Sequence, residues 1–125
     1  MSEQEIAEIF KDLEDVSPLR RSKALEELRV SVKENGGHLL FGNVKRVFSL
    51  LKARLRDSNW NVAHQSIQFL GDLFRIQDLG PDCKSCLSII LPTLVESIGD
   101  TKIVIRKASL QVLKDLLVHT DSVGL

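Results

Sequence analysis

Tyrosine is missing from this chain of 125 residues, tryptophan occurs once and phenylalanine five times. So few aromatics argue against a β-sandwich core, and the leucine-rich remainder favours stacked helices. Net charge is missing too, since 17 Lys and Arg balance 17 Asp and Glu. A neutral chain has no global field with which to hold nucleic acid or an anionic membrane surface, so neither is expected as a partner. No apolar run is long enough to span a bilayer. The opening Met1-Ser2-Glu3-Gln4-Glu5 is polar and acidic, unlike the basic and then apolar start of a secretory signal. The length fits a single domain, residues 1–125.

Cysteine is scarce: Cys83 and Cys86 form one C-x-x-C. That supplies at most half of a tetrahedral zinc site, and the βαβ setting of a thioredoxin-type redox motif is absent. They read as two ordinary cytosolic thiols near the start of a helix. The three histidines, His38, His64 and His119, are isolated from one another. No H-E-x-x-H, G-x-S-x-G, P-loop or dinucleotide-binding glycine motif occurs. Glu26 and Glu27 are neighbours on a helix and point in different directions, so they are no catalytic pair. The expectation is a protein without catalytic residues, metal or cofactor.

What the chain does contain is a repeat. Leu13–Leu28, Leu55–Leu70 and Ile98–Leu113 align at offsets of 42 and 43 residues. Asp15, Asp57 and Asp100 share a column just past an apolar helix, where a carboxylate can accept hydrogen bonds from free N–H groups of the turn and the next helix. Ala24, Ser66 and Ser109 share a column of small residues where helices come close. Leu25, Ile67 and Leu110 align, as do Leu28, Leu70 and Leu113, three residues on along one helical face. In the preceding helix Ile6, Phe48 and Leu91 align, then Ile9, Leu51 and Leu94, then Leu13, Leu55 and Ile98.

The breaks between units carry turn chemistry. Glu34-Asn35-Gly36-Gly37 closes the first unit and Gly80-Pro81-Asp82 the second. Ser2 with Glu5 fits a capping box, and Ser17-Pro18 fits an N-cap followed by proline at the first helical position. Pro92, inside the apolar run Leu87 to Ile98, should kink that helix or mark its effective start. The reading is all-α, with helices over 5–14, 18–34, 43–56, 60–77, 83–98 and 102–119, in repeats of about 3–37, 43–80 and 82–120.

Two helices per unit of about 42 residues is the signature of an α-solenoid, here three HEAT-like or armadillo-like helical hairpins. A HEAT feature is an Asp, an aliphatic residue five positions later, then Arg. Asp100, Ile105 and Arg106 have all three, Asp57 and Val62 lack the Arg, and Asp15 and Arg21 lack the aliphatic. The first helix has a polar face with Glu5, Glu8, Lys11 and Asp12, suited to capping the array. The last helix is apolar on more than one side, as though built to accept another helix, whether from a longer parent protein or from self-association.

The turns inside the hairpins stack along one edge of a solenoid. Windows 15–23, 56–64 and 99–107 carry net charges of +2, 0 and +2, so the edge is +4 and the rest of the chain −4. Such an edge would attract an acidic partner. Trp60, at the tip of the middle turn, is either a binding hot spot or a residue packed between repeats.

Asp57-Ser58-Asn59-Trp60-Asn61-Val62, with Ile67 and Leu70 beyond it, resembles the second-repeat turn of TOG domains, Asp-Ser-Asn-aromatic-Lys-Val. Asp100-Thr101-Lys102-Ile103-Val104-Ile105-Arg106 resembles the third-repeat turn, and Pro18 to Leu25 the first. The likeness is greatest to TOG domains of the CLASP and Crescerin classes. It runs through the whole chain but covers three of the usual six repeats. The resemblance implies binding to tubulin or microtubules through Leu19, Arg20 and Arg21 in the first turn, Trp60 and Asn61 in the second and Lys102 in the third, with Arg106 and Lys107 as adjacent helpers. It implies a cytoplasmic, cytoskeletal setting, such as the cilium or centrosome. Two positions depart from the pattern: Pro18 and Leu19 stand where Trp is common, and Asn61 where Lys is common. The alternative is a general HEAT scaffold that binds other proteins, in part through the last helix, without tubulin.

Overall fold

The computed structural model describes residues 2–36, 42–75 and 83–122. Among them the chain is all helical: α1 (Glu3–Asp12), α2 (Pro18–Asn35), α3 (Val44–Leu55), α4 (Trp60–Phe74), α5 (Cys83–Ser97) and α6 (Ile103–Ser122). His38, Gly37 and Gly80-Pro81-Asp82 lie outside the described residues, as do residues 76 and 77, expected to end the fourth helix.

Helix starts follow local capping chemistry. Ser2 Oγ accepts a hydrogen bond from the Glu5 N–H at 3.1 Å, and Glu5 Oε1 accepts one from the Ser2 N–H at 3.4 Å. This capping box starts α1 at Glu3, two residues earlier than expected, and Leu13 caps its end. Ser17 Oγ accepts from the Arg20 N–H at 3.5 Å, and Pro18 occupies the first turn of α2, where no N–H is needed. Gly36 ends α2 at φ 79°, a left-handed conformation that suits glycine, with its N–H donating to Val32 O at 2.8 Å. Pro92 does not mark a helix start, because α5 begins at Cys83 and runs through it. The helix crosses the proline because Cys86, Ile90 and Leu94 on its opposite face are fully buried.

Each odd-numbered helix packs on the even-numbered helix that follows it, α3 packs on α5, and α4 lies between α2 and α6. Polar contacts show the direction of the even helices. Ser22 Oγ donates to Gln65 Oε1 at 2.7 Å, Arg29 Nε to Asp72 Oδ2 at 2.9 Å and Arg75 Nη2 to Asp115 Oδ2 at 3.1 Å. Partners stay about one repeat apart from one end to the other, so α2, α4 and α6 run the same way side by side. Their N-termini, and the turns before them, therefore share one edge.

The core follows the repeat columns. Leu25, Leu28, Ile67, Leu70, Phe48 and Leu51 are fully buried. The small-residue column lies inside the helix packing: Ala24, Ser66 and Ser109 are buried, and the two serine hydroxyls donate to Val62 O and Ile105 O at 2.8 Å. Those bonds satisfy hydroxyls that would otherwise cost about 1–3 kcal/mol each.

Candidate protein-binding edge at the turns

The three turns are built alike. Asp15 Oδ1 accepts from the Ser17 N–H at 2.8 Å, Asp57 Oδ1 from the Asn59 N–H at 2.9 Å and Asp100 Oδ1 from the Lys102 N–H at 2.8 Å. Each bond closes a turn two residues long and orients the start of the following helix.

Asp57 does more. Its side chain is 1% exposed and receives the Arg21 guanidinium through both oxygens, Nε to Oδ2 at 2.8 Å and Nη2 to Oδ1 at 2.9 Å. Arg54 Nη1 adds a further bond to Oδ2 at 2.9 Å. Arg21 Nη1 meanwhile donates to Asp15 O at 2.7 Å. One arginine thus ties the first turn to the second by a planar, two-bond fork.

The next junction lacks this tie. The residue one repeat beyond Arg21 is Ala63, which has no charge to offer Asp100. A cleft of about 410 Å³ opens there, lined by Trp60, Ala63, Ser97, Asp100, Lys102 and Ile105 among others. Arg56 and Glu96 form a surface ion pair at its margin. Across its mouth Lys102 Nζ lies 5.3 Å from the centre of the Trp60 ring, a cation–π contact. Trp60 is 43% exposed: it packs against Lys102 of the third turn and still presents ring surface to solvent.

The predicted edge residues divide by position. Leu19, Arg20, Trp60, Asn61, Lys102 and Lys107 are exposed on the turn edge. Arg20 lies near Asp15 at 3.7 Å, a loose surface pair. Arg21 is placed differently: it is buried and its charge is matched by Asp57, so it is no surface contact. Arg106 is half-buried at the start of α6, with Nη1 donating to Asp100 O at 3.1 Å. Of the cations on this edge, Arg21 is internal and matched by Asp57, and Arg56 is paired with Glu96, so neither is offered to a partner.

The structure adds apolar residues to this edge. Val16, Leu19, Ile103 and Val104 are all exposed there beside Trp60. Pro18, Trp60 and Ile103 share one repeat column and Leu19, Asn61 and Val104 the next. Apolar residues off the buried three-and-four register, at the first two positions of a helix, were the signal for this. An exposed apolar strip interrupted by Lys102, Lys107 and Arg20 is suited to a protein surface of mixed apolar and acidic character.

Elsewhere, no group of three or more His, Cys, Asp or Glu among the described residues could hold a metal ion. His64 is half-buried on α4, Cys86 is fully buried on α5, and the side chains of Cys83 and His119 lie outside the described residues. No described helix is long and apolar enough to cross a membrane. Neither a protein-family model nor a curated protein sequence matches the chain.

Proposed function

We propose that the chain is a non-catalytic, HEAT-type helical array of TOG-like character that binds tubulin through its turn edge. The observation that carries the reading is the Trp60–Lys102 pair, an exposed aromatic and a cation held together at the junction of two turns. Tryptophan is among the commonest anchors of protein interfaces, and a cation beside it favours an acidic partner. Exposed Leu19 and Ile103 on either side extend the contact. Tubulin is acidic, which suits the residual positive charge of the edge. The parallel order of α2, α4 and α6 supports the HEAT-type array, and the Asp-Ser-Asn-Trp turn supports the TOG likeness.

Gel filtration of the chain with αβ-tubulin tests this reading. Co-elution is expected at low ionic strength and should weaken at physiological salt, because charge steering is screened.

A general scaffold for other proteins is the second reading. It is favoured by the exposure of Leu110 and Leu117 on α6, away from the turn edge. A tubulin-free eluate would favour that reading.

A further inference from the structure

At the junction of the first two turns, two arginines converge on Asp57. Arg21 of α2 donates from Nε and Nη2 at 2.8 and 2.9 Å, and Arg54 of α3 donates from Nη1 at 2.9 Å. One repeat on, Asp100 takes the place of Asp57, Ala63 that of Arg21 and Ser97 that of Arg54. Both guanidinium groups are lost together, while the carboxylate that received them is kept.

The space where they would stand is the cleft of about 410 Å³, whose lining includes Ala63, Ser97 and Asp100. Asp100 Oδ1 accepts the Lys102 N–H at 2.8 Å, and Oδ2 has no partner among the described residues. The other carboxylates of the lining are matched, Asp57 by Arg21 and Arg54 and Glu96 by Arg56. Lys102 does not neutralise Asp100 by a direct pair, because its ammonium lies on the Trp60 ring, 5.3 Å from the centre. The cleft thus combines one carboxylate without a cation, an aromatic wall and room for a long side chain.

We propose that this cleft is a socket for an arginine carried by a partner protein. The side chain enters from the turn edge, its guanidinium bonds the Asp100 carboxylate as Arg21 bonds Asp57, and its plane lies against the Trp60 ring. Arginine fits better than lysine, because a planar fork can bond a carboxylate twice and stack on an aromatic face at once. A residue within a chain fits better than a free small molecule, because exposed Trp60 and Ile103 on the same edge give the flanking residues an apolar surface to cover. Lys102 is the competing cation: the incoming guanidinium displaces its ammonium from the ring. The socket stands apart from the tubulin reading, because Lys102 has opposite roles in the two. It helps to hold an acidic surface, and it hinders an arginine.

Titration of the 15N-labelled full chain with a blocked peptide, acetyl-Gly-Ser-Arg-Ser-Gly-amide, tests it by NMR. The Trp60 indole N–H and the Lys102 backbone N–H should shift together and saturate in the millimolar range, as befits one side chain. The same peptide with lysine in place of arginine should bind at least about fivefold more weakly, because an ammonium lacks the fork. Asp100→Asn keeps the side-chain oxygen that accepts the Lys102 N–H and removes the charge, so it should abolish saturable binding. Ala63→Arg, which fills the socket from within, should abolish it as well. Lys102→Met should tighten the arginine peptide, whereas the tubulin reading requires a weaker tubulin complex from the loss of that cation. Absence of saturable shifts in the wild type, equal binding of the lysine peptide, or binding unchanged by Asp100→Asn would each overturn the proposal.

Discussion

Arg21 and Asp57, 36 residues apart in the chain, meet through two parallel hydrogen bonds of 2.8 and 2.9 Å in a site almost closed to solvent. Removing one partner of a buried pair strands the other charge, at a cost of about 3–5 kcal/mol. Asp57→Ala should therefore destabilise the fold by about 3 kcal/mol or more, since it strands Arg21 and Arg54 together. Arg20→Ala, which removes only the loose surface pair with Asp15, should cost less than about 0.5 kcal/mol. Urea unfolding of the two variants checks this; equal midpoints would show that the fork does not tie the turns.

The junction without an arginine offers the converse change. Ala63→Arg would supply the missing member of its column beside Asp100, and the neighbouring cleft has space to receive it. The expected outcome is a gain of about 1 kcal/mol from the new charged hydrogen bonds. In the double variant Ala63→Arg with Asp100→Ala the gain should vanish. Denaturant midpoints measured for the three chains form the needed cycle.

Gly71 sets the closeness of α4 to α6. A Cβ added there would come within 3.2 Å of Val112 Cγ2. Val112 is buried and β-branched, so it has little freedom to turn aside. In Gly71→Ala the helix-propensity gain of about 1 kcal/mol should be largely offset by that contact. Gly71→Leu should cost about 2 kcal/mol or more by forcing the helices apart. Thermal unfolding of both variants would test the ordering, and a stabilised Gly71→Leu chain would contradict the close approach.

Helix class and helix starts were legible because their causes are local. The Ser2–Glu5 box, the Ser17-Pro18 start and the columns buried in the first two repeats, from Ile6 to Leu70, depend on residues a few positions apart. The shared turn chemistry of Asp15, Asp57 and Asp100 was legible for the same reason. The Arg21–Asp57 fork was not. Aligning repeats compares equivalent positions, whereas this bond joins two different columns of neighbouring repeats. Arg21 consequently read as an edge cation when it lies inside. The exposure of Val16, Ile103 and Val104 is not legible from periodicity, because these three lie at the turns, off the helical register that marks the buried faces.

The claim that the turn edge binds tubulin is tested most directly by measuring tubulin affinity at low salt for three chains: the wild type, Trp60→Ala with Lys102→Glu, and Leu110→Ser. If Trp60 and Lys102 are the anchor, the double variant should bind at least about tenfold more weakly, a loss typical of an interface hot spot, with unchanged circular dichroism. The Leu110→Ser chain, altered away from the edge, should bind like the wild type. No binding by the wild type, or equal affinity for all three chains, would contradict the account.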